Sequence, residues 1–198
     1  MGRPDLAAHQ AKDVFALWQA WEDESGQKQD IPFWATVWPA ARMAAEWIGA
    51  NPSLVAGKRV LDLGCGCGLA GIAAVKAGAA SVVANDIDEV ALEFTRRNAE
   101  TNGIAMEIAT GNLLDAPPDP AWDVILAADL FYEKSVAAAM LEWLGAARRN
   151  GTAVYIADGN RPFSPRVGVV TLLENRYPTD IDLEGTSERT VRILAYLP

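Results

Sequence analysis

Apolar positions along this chain repeat with two different periods, and the change of period divides it. Over residues 5–24, Val14, Leu17, Trp18 and Trp21 recur at three- and four-residue steps, which predicts an amphipathic leading helix that includes His9. The polar stretch 24–32 holds Gly26 and Pro32 and reads as a loop. A second helical pattern opens near Pro39 and closes near Gly49. From Lys58 onward short apolar runs alternate with helical patterns. Strands are predicted over 59–64, 81–87, 105–112, 122–131 and 152–159, and helices over 68–78, 88–103 and 133–150. A proline-rich connector, 115–121, precedes the fourth strand.

After that the rhythm changes. Pro162 and Pro165 weaken the helix predicted over 161–176, and segments 177–185 and 189–198 read as two strands joined by a short turn, hence antiparallel. The whole pattern is α/β: a Rossmann-like, doubly wound, mostly parallel seven-stranded sheet with an antiparallel C-terminal hairpin. One domain is expected over 1–198, with a helical extension at 1–50 and the core at 58–198.

Composition narrows the class. With 51% hydrophobic and 22% charged residues, the chain can bury a core of its own. No apolar run reaches the roughly 18 residues of a membrane span. The first residues lack the basic-then-apolar layout of a secretion signal, and Leu6 stands where a myristoylation pattern begun by Met1 and Gly2 needs a hydroxyl. A cytoplasmic location is therefore expected. The only cysteines, Cys65 and Cys67, are one residue apart, a spacing that suits soft fillers in a reducing compartment better than a disulfide or a zinc site. His9 is the sole histidine, so histidine triads and multi-histidine metal sites are nearly excluded, and no metal is expected. A net charge of −9 argues against nucleic-acid partners and is compatible with a small ligand or a basic segment of another protein.

The candidate chemistry sits in "VLDLGCGCGLAGIAA", 60–74. Glycines after a first parallel strand permit positive φ and bare the backbone to a ligand at the carboxyl edge of the sheet. About twenty residues on, Asp86 ends the second strand, placed to accept hydrogen bonds from ribose hydroxyls. Two cofactors share that pair. Gly66-x-Gly68-x-x-Gly71 has the spacing of a dinucleotide fingerprint, whereas Asp62 followed by Gly64-x-Gly66-x-Gly68 suits S-adenosylmethionine. Asp62 would repel a pyrophosphate and attract a sulfonium and an ammonium. Asn112 and Leu113 after the third strand can serve an adenine edge and face, and the C-terminal hairpin also favours the second reading.

"VLDLGCGCG", "ANDID", "GNLLD" and "WDVILAADLFYE" together resemble the class I, seven-strand S-adenosylmethionine-dependent methyltransferases, over residues 33 to the C-terminus. That resemblance implies a cofactor shell of Trp38, Asp62, Gly64, Gly66, Asp86, Ile87, Asn112 and Leu113, although Asn112 replaces the aspartate common at its position. Asp129-x-x-Tyr132 resembles the acid-x-x-aromatic motif of seven-strand protein lysine methyltransferases, with Asp129 and Tyr132 in catalytic roles and Trp34, Phe131 and Glu133 toward the substrate. With "PFWATVWPAARMAAEW", the chain looks like the branch that methylates lysine on the electron transfer flavoprotein β subunit. Bacterial members of that branch are often labelled nicotinamide N-methyltransferase-like, so small-amine methylation is an alternative, as is a non-catalytic S-adenosylmethionine-binding module. Asp158-Gly159-Asn160-Arg161 departs from the Asp-Pro-Gly-Arg segment of the branch, and Arg161 reads as a solvated loop residue. The chemistry sets its own demand: a lysine of pKa about 10.4 must lose a proton before it can accept a methyl group, at a cost of about 4–5 kcal/mol at neutral pH.

Overall fold

The computed structural model describes residues 6–197; the Met-Gly opening considered above lies outside them. Seven strands form one sheet: β1 Arg59–Leu63, β2 Ser81–Asp86, β3 Glu107–Thr110, β4 Val124–Ala128, β5 Ala153–Asp158, β6 Val169–Pro178 and β7 Glu188–Tyr196. Their spatial order is β3-β2-β1-β4-β5-β7-β6, parallel from β3 to β5. β7 runs antiparallel to both β5 and β6. The helices are α1 Val14–Ser25, α2 Pro39–Ala50, α3 Leu69–Lys76, α4 Glu89–Thr101, α5 Lys134–Arg149 and the short α6 Ile181–Glu184.

Alternation along the strands sorts the core into two layers. Val60, Val124, Leu126 and Ile193 pack with Met43, Ala44, Trp47 and Ile48 of α2 and with α3. Leu61, Leu63, Ile125 and Ile156 face the other way, onto Met140, Trp143 and Leu144 of α5. Burying each such side chain is worth about 1.5–3 kcal/mol. Because Asp62 lies between Leu61 and Leu63, the same period of two turns its carboxylate toward α3 rather than α5. Strand order reverses between β1 and β4, and the loops leaving their carboxyl ends open the crevice where ligands bind in such sheets.

Three expectations need correction. The leading helix starts only at Val14, where the Asp13 side chain accepts the Ala16 N–H, so His9 precedes it. Residues 6–12, ahead of that cap, take up no helix or strand and run as a strap instead. His9 N–H donates to Asn98 Oδ1 at 2.7 Å and Ala11 N–H to the Ala35 carbonyl at 2.7 Å. The helix expected over 161–176 does not form. Val169, Val170 and Thr171 are β-branched, the prolines disfavour a helix start, and the segment pairs along β7 as the edge strand β6. Nor is 177–185 a strand of its own: Tyr177 and Pro178 are the end of β6, then Asp180 caps α6 and Gly185 ends it at φ 67°.

Candidate active site

The loop from β1 to α3 supplies the floor. Gly64, Gly66 and Gly68 all have positive φ, at 61°, 53° and 74°. A Cβ on Gly64 would lie 2.5 Å from Leu130, and one on Gly68 2.6 Å from Thr95, so those two are glycines for packing as well as for conformation. At Gly66 a Cβ would meet nothing within 4 Å, which marks the open side of the loop. Two buried polar residues of α4 hold the turn from behind. Thr95 Oγ1 donates to the Gly66 carbonyl at 2.9 Å, and Asn98 Nδ2 to the Cys67 carbonyl at 2.8 Å. Cys65 and Cys67 are free, buried thiols, and burial raises the pKa of both.

Asp62 separates the two readings of the glycines. Its Oδ2 accepts the Gly71 N–H at 2.7 Å, and a Cβ on Gly71 would come within 2.9 Å of that oxygen. Gly71 is therefore glycine in order to admit the carboxylate, which occupies the first turn of α3. A dinucleotide would place its pyrophosphate against that same helix end. Burial raises the Asp62 pKa to about 7; the Gly71 N–H works against the rise and the Asp86 charge adds to it. A buried acid so poised gains from any cation brought alongside.

Asp86 spans the loop at the end of β2. Its Oδ2 accepts the Gly66 N–H at 2.9 Å and its Oδ1 the Asp88 N–H at 3.1 Å, while burial raises its pKa. Each oxygen keeps a lone pair for a further donor. Ile87 beside it is 74% exposed, a large apolar side chain left uncovered next to Asp86. Asn112 is exposed and caps the turn after β3, its Oδ1 accepting the Leu114 N–H and its Nδ2 donating to Asp115. Leu113 is partly buried against the α5-side core.

Opposite these groups lies a second half built around Asp129, at the end of β4. Asp129 is buried and holds φ 62°, a left-handed conformation uncommon outside glycine. Arg161 pins it: Nε donates to Oδ1 at 2.7 Å and Nη2 donates to Oδ2. The guanidinium also bonds Glu184 of α6, through Nη1 at 2.8 Å, and lies 5.5 Å from the centre of the Trp38 ring. Arg189 of β7 completes the group, 2.7 Å from Glu184. Aromatic rings frame the mouth: Phe33 lies 5.7 Å from Tyr132 and 5.9 Å from Trp38 between ring centres. Burial raises the Tyr132 pKa, and the charges of Asp86, Glu133 and Asp129 add to the rise.

The structure thus gathers Trp38, Asp62, Gly64, Gly66, Asp86, Ile87, Asp129 and Tyr132 around one crevice. It corrects three other residues. Phe131 is fully enclosed in the α5-side core and has no face to offer a substrate. Trp34 is buried too, packed 5.9 Å from Trp21 and 4.7 Å from Phe94, and its neighbour Phe33 takes the exposed place instead. Arg161 is no solvated loop residue; its side chain is 14% exposed and bonds both Asp129 and Glu184. Glu133 stands at the start of α5 and accepts from Ser135. Thr95, Asn98, Phe33, Arg161, Glu184 and Arg189 escaped sequence reasoning. For Thr95 and Asn98 a signal existed, two polar residues three apart on the inward face of α4.

The family model for ribosomal protein L11 methyltransferase (PrmA) matches residues 38–132, from Trp38 through Tyr132. Among curated proteins, the electron transfer flavoprotein beta subunit lysine methyltransferase of Danio rerio is 42% identical over 132 residues, 66% of this chain and 51% of that protein. The Mus musculus protein of the same name is 33% identical over 184 residues, 90% of this chain and 72% of that protein. The chain belongs to this methyltransferase family. Against the Danio rerio and Xenopus laevis members it spans about half of their length, 51% and 53%. In fold, the ribosomal protein L11 methylase of Lactobacillus delbrueckii subsp. bulgaricus superposes with a TM-score of 0.55 over 80% of this chain and 79% of that one, at 21% identity. The family segment thus includes the glycine loop, Asp86, Asp129 and Tyr132.

Proposed function

We propose that this protein is an S-adenosylmethionine-dependent protein lysine methyltransferase, acting on the β subunit of electron transfer flavoprotein. The observation that carries the cofactor half is the Asp62 carboxylate seated on the Gly71 N–H, which fills the anion-binding helix end and leaves a buried acid in need of positive charge. When bound, the cofactor supplies a methyl group on a sulfonium. On this reading Asp86 holds the ribose, Ile87 and Leu113 flank the adenine, Asn112 meets its edge with its remaining hydrogen-bonding capacity, and open Gly66 lets the ligand approach the backbone.

The acceptor half then follows from the aromatic mouth. Phe33, Trp38 and Tyr132 give an apolar wall for the methylene stem of a lysine, and the exposed rings of Phe33 and Tyr132 favour its cationic form on arrival. Asp129 and the Tyr132 hydroxyl aim the nitrogen. No strong base is required; alignment supplies most of the rate, because the crevice fixes donor and acceptor in one geometry. The net charge of −9 favours a basic target segment.

A second acceptor, ribosomal protein L11, is favoured by the family-model match over residues 38–132. The test is methyl transfer from radiolabelled S-adenosylmethionine to purified electron transfer flavoprotein and, in parallel, to ribosomal protein L11 and nicotinamide. Label in lysine of the flavoprotein β subunit is expected. Label confined to ribosomal protein L11 or nicotinamide would reassign the acceptor, and cofactor binding with no label in any of the three would defeat the proposed lysine reaction.

A further inference from the structure

We infer that Arg161 is a positioning residue that neutralises Asp129, so that the acid can aim the acceptor amine without holding it in its unreactive, protonated form. The inference rests on the methyltransferase reading above and addresses a difficulty within it. A carboxylate beside an amine stabilises the ammonium, which has no lone pair to accept a methyl group. A free Asp129 would therefore work against the reaction it serves.

The geometry removes the conflict. Arg161 meets both carboxylate oxygens of Asp129, with Nε 2.7 Å from Oδ1 and Nη2 on Oδ2, a two-pronged pair of the kind that fixes a carboxylate in orientation as well as charge. Two further donors meet Glu184, at 2.8 Å from Nη1 and 3.1 Å from Nη2. Glu184 in turn pairs with Arg189, whose Nη1 donates to the Gly159 carbonyl at 3.1 Å. Asp129, Arg161, Glu184 and Arg189 alternate in sign and sum to zero. The side chains of Arg161 and Glu184 are only 14% and 4% exposed, so solvent screens the arrangement weakly. Oδ1 of Asp129 also accepts the Gly159 N–H at 3.4 Å, so the lone pair left for the incoming nitrogen is on Oδ2, while the charge is already balanced.

Several elements bring charged or titratable groups toward Asp129. Asp158 stands at the end of β5, accepting the Arg161 N–H at 3.3 Å, and its other oxygen is buried without a partner among the described residues. Tyr132 and Glu133 follow β4, Asp86 ends β2, Glu184 lies on α6 and Arg189 on β7. Apart from the two arginines, all of these are acids or a phenol. Removing the Arg161 charge would leave Asp129 unbalanced, with Arg189 as the one remaining cation of the group and already paired with Glu184, and the acid limb of turnover should then move up by roughly one pH unit. Removing Glu184 should act in the opposite sense, since Arg161 would keep its full charge opposite Asp129.

The experiment measures kcat against pH at saturating S-adenosylmethionine with purified electron transfer flavoprotein as acceptor, for wild type, Arg161→Gln, Arg161→Lys and Glu184→Gln. Calorimetric affinity for S-adenosylhomocysteine, expected within about twofold of wild type, shows that each crevice is intact. Arg161→Gln is expected to shift the acid limb upward, Glu184→Gln downward, and Arg161→Lys to restore most of the wild-type profile. Loss of turnover in Arg161→Gln and Glu184→Gln with no movement of the limb would make the network a structural staple and overturn the inference. If Arg161→Gln fails to bind the ligand, the direction in Glu184→Gln decides: downward supports the inference, unmoved or upward overturns it. A wild type that binds the cofactor but methylates no lysine of the flavoprotein defeats the underlying reading and the inference with it, and shows this before any variant is compared.

Discussion

Asp62 pays for its place in the crevice with stability. A carboxyl group whose folded pKa is raised from 3.8 to about 7 contributes its full stability only below about pH 4 and loses it as pH rises through 7. Above pH 7 the ionised, buried acid costs the free protein up to about 4 kcal/mol. Asp62→Asn keeps an acceptor for Gly71 and abolishes the charge. It should melt no lower than wild type at pH 8, yet bind S-adenosylmethionine at least tenfold more weakly, by thermal shift and calorimetry. In the wild type, affinity for the cation should fall as pH drops from 8 to 6, because binding requires the ionised acid. The glycines separate in the same way. Gly66→Ala meets no neighbour and should lose only about 1–2 kcal/mol, from its left-handed backbone, while cofactor binding collapses. Gly68→Ala must also displace Thr95 and should unfold at distinctly lower urea.

Among the elements, α4 does more than cover the sheet. Asn98 is fully buried, donates to the Cys67 carbonyl, and accepts the His9 N–H, so one side chain ties the glycine loop to the N-terminal strap. Asn98→Ala leaves both backbone groups without partners and should cost about 2–4 kcal/mol in urea unfolding, with weaker cofactor binding from a slack loop. The elements also show what a sequence carries locally. Apolar runs ended by glycine or an acid mark β1, β2, β4 and β5 because burial on both faces makes such strands continuous in hydrophobicity. β6 resisted because it is an edge strand, mostly exposed, and its conformation comes from pairing with β7. α6 is a single turn set by Asp180 and Gly185, too short for any period.

Across the whole molecule, the doubly wound order was legible because alternation of strand and helix admits few topologies. The clustering of the glycines, Asp62 and Asp86 was legible for a related reason: they lie at strand ends, where sequence position nearly determines spatial position. Around Asp129 and Tyr132, which the sequence also marked, the residues that hold the acid in place were not. Arg161 reaches Asp129 across 32 residues and Glu184 across 23, and no local pattern encodes that meeting. Phe131 shows the converse, since the motif "DLFYE" carried it into the site while its burial puts it in the core. The account as a whole depends on the crevice preferring a cationic nucleoside to a phosphate-bearing one. Calorimetric titration of the wild-type protein at pH 8 with S-adenosylmethionine and, separately, with NAD tests this most directly. Saturable one-to-one binding of S-adenosylmethionine with no heat from NAD is predicted; tight NAD binding without S-adenosylmethionine binding would contradict it.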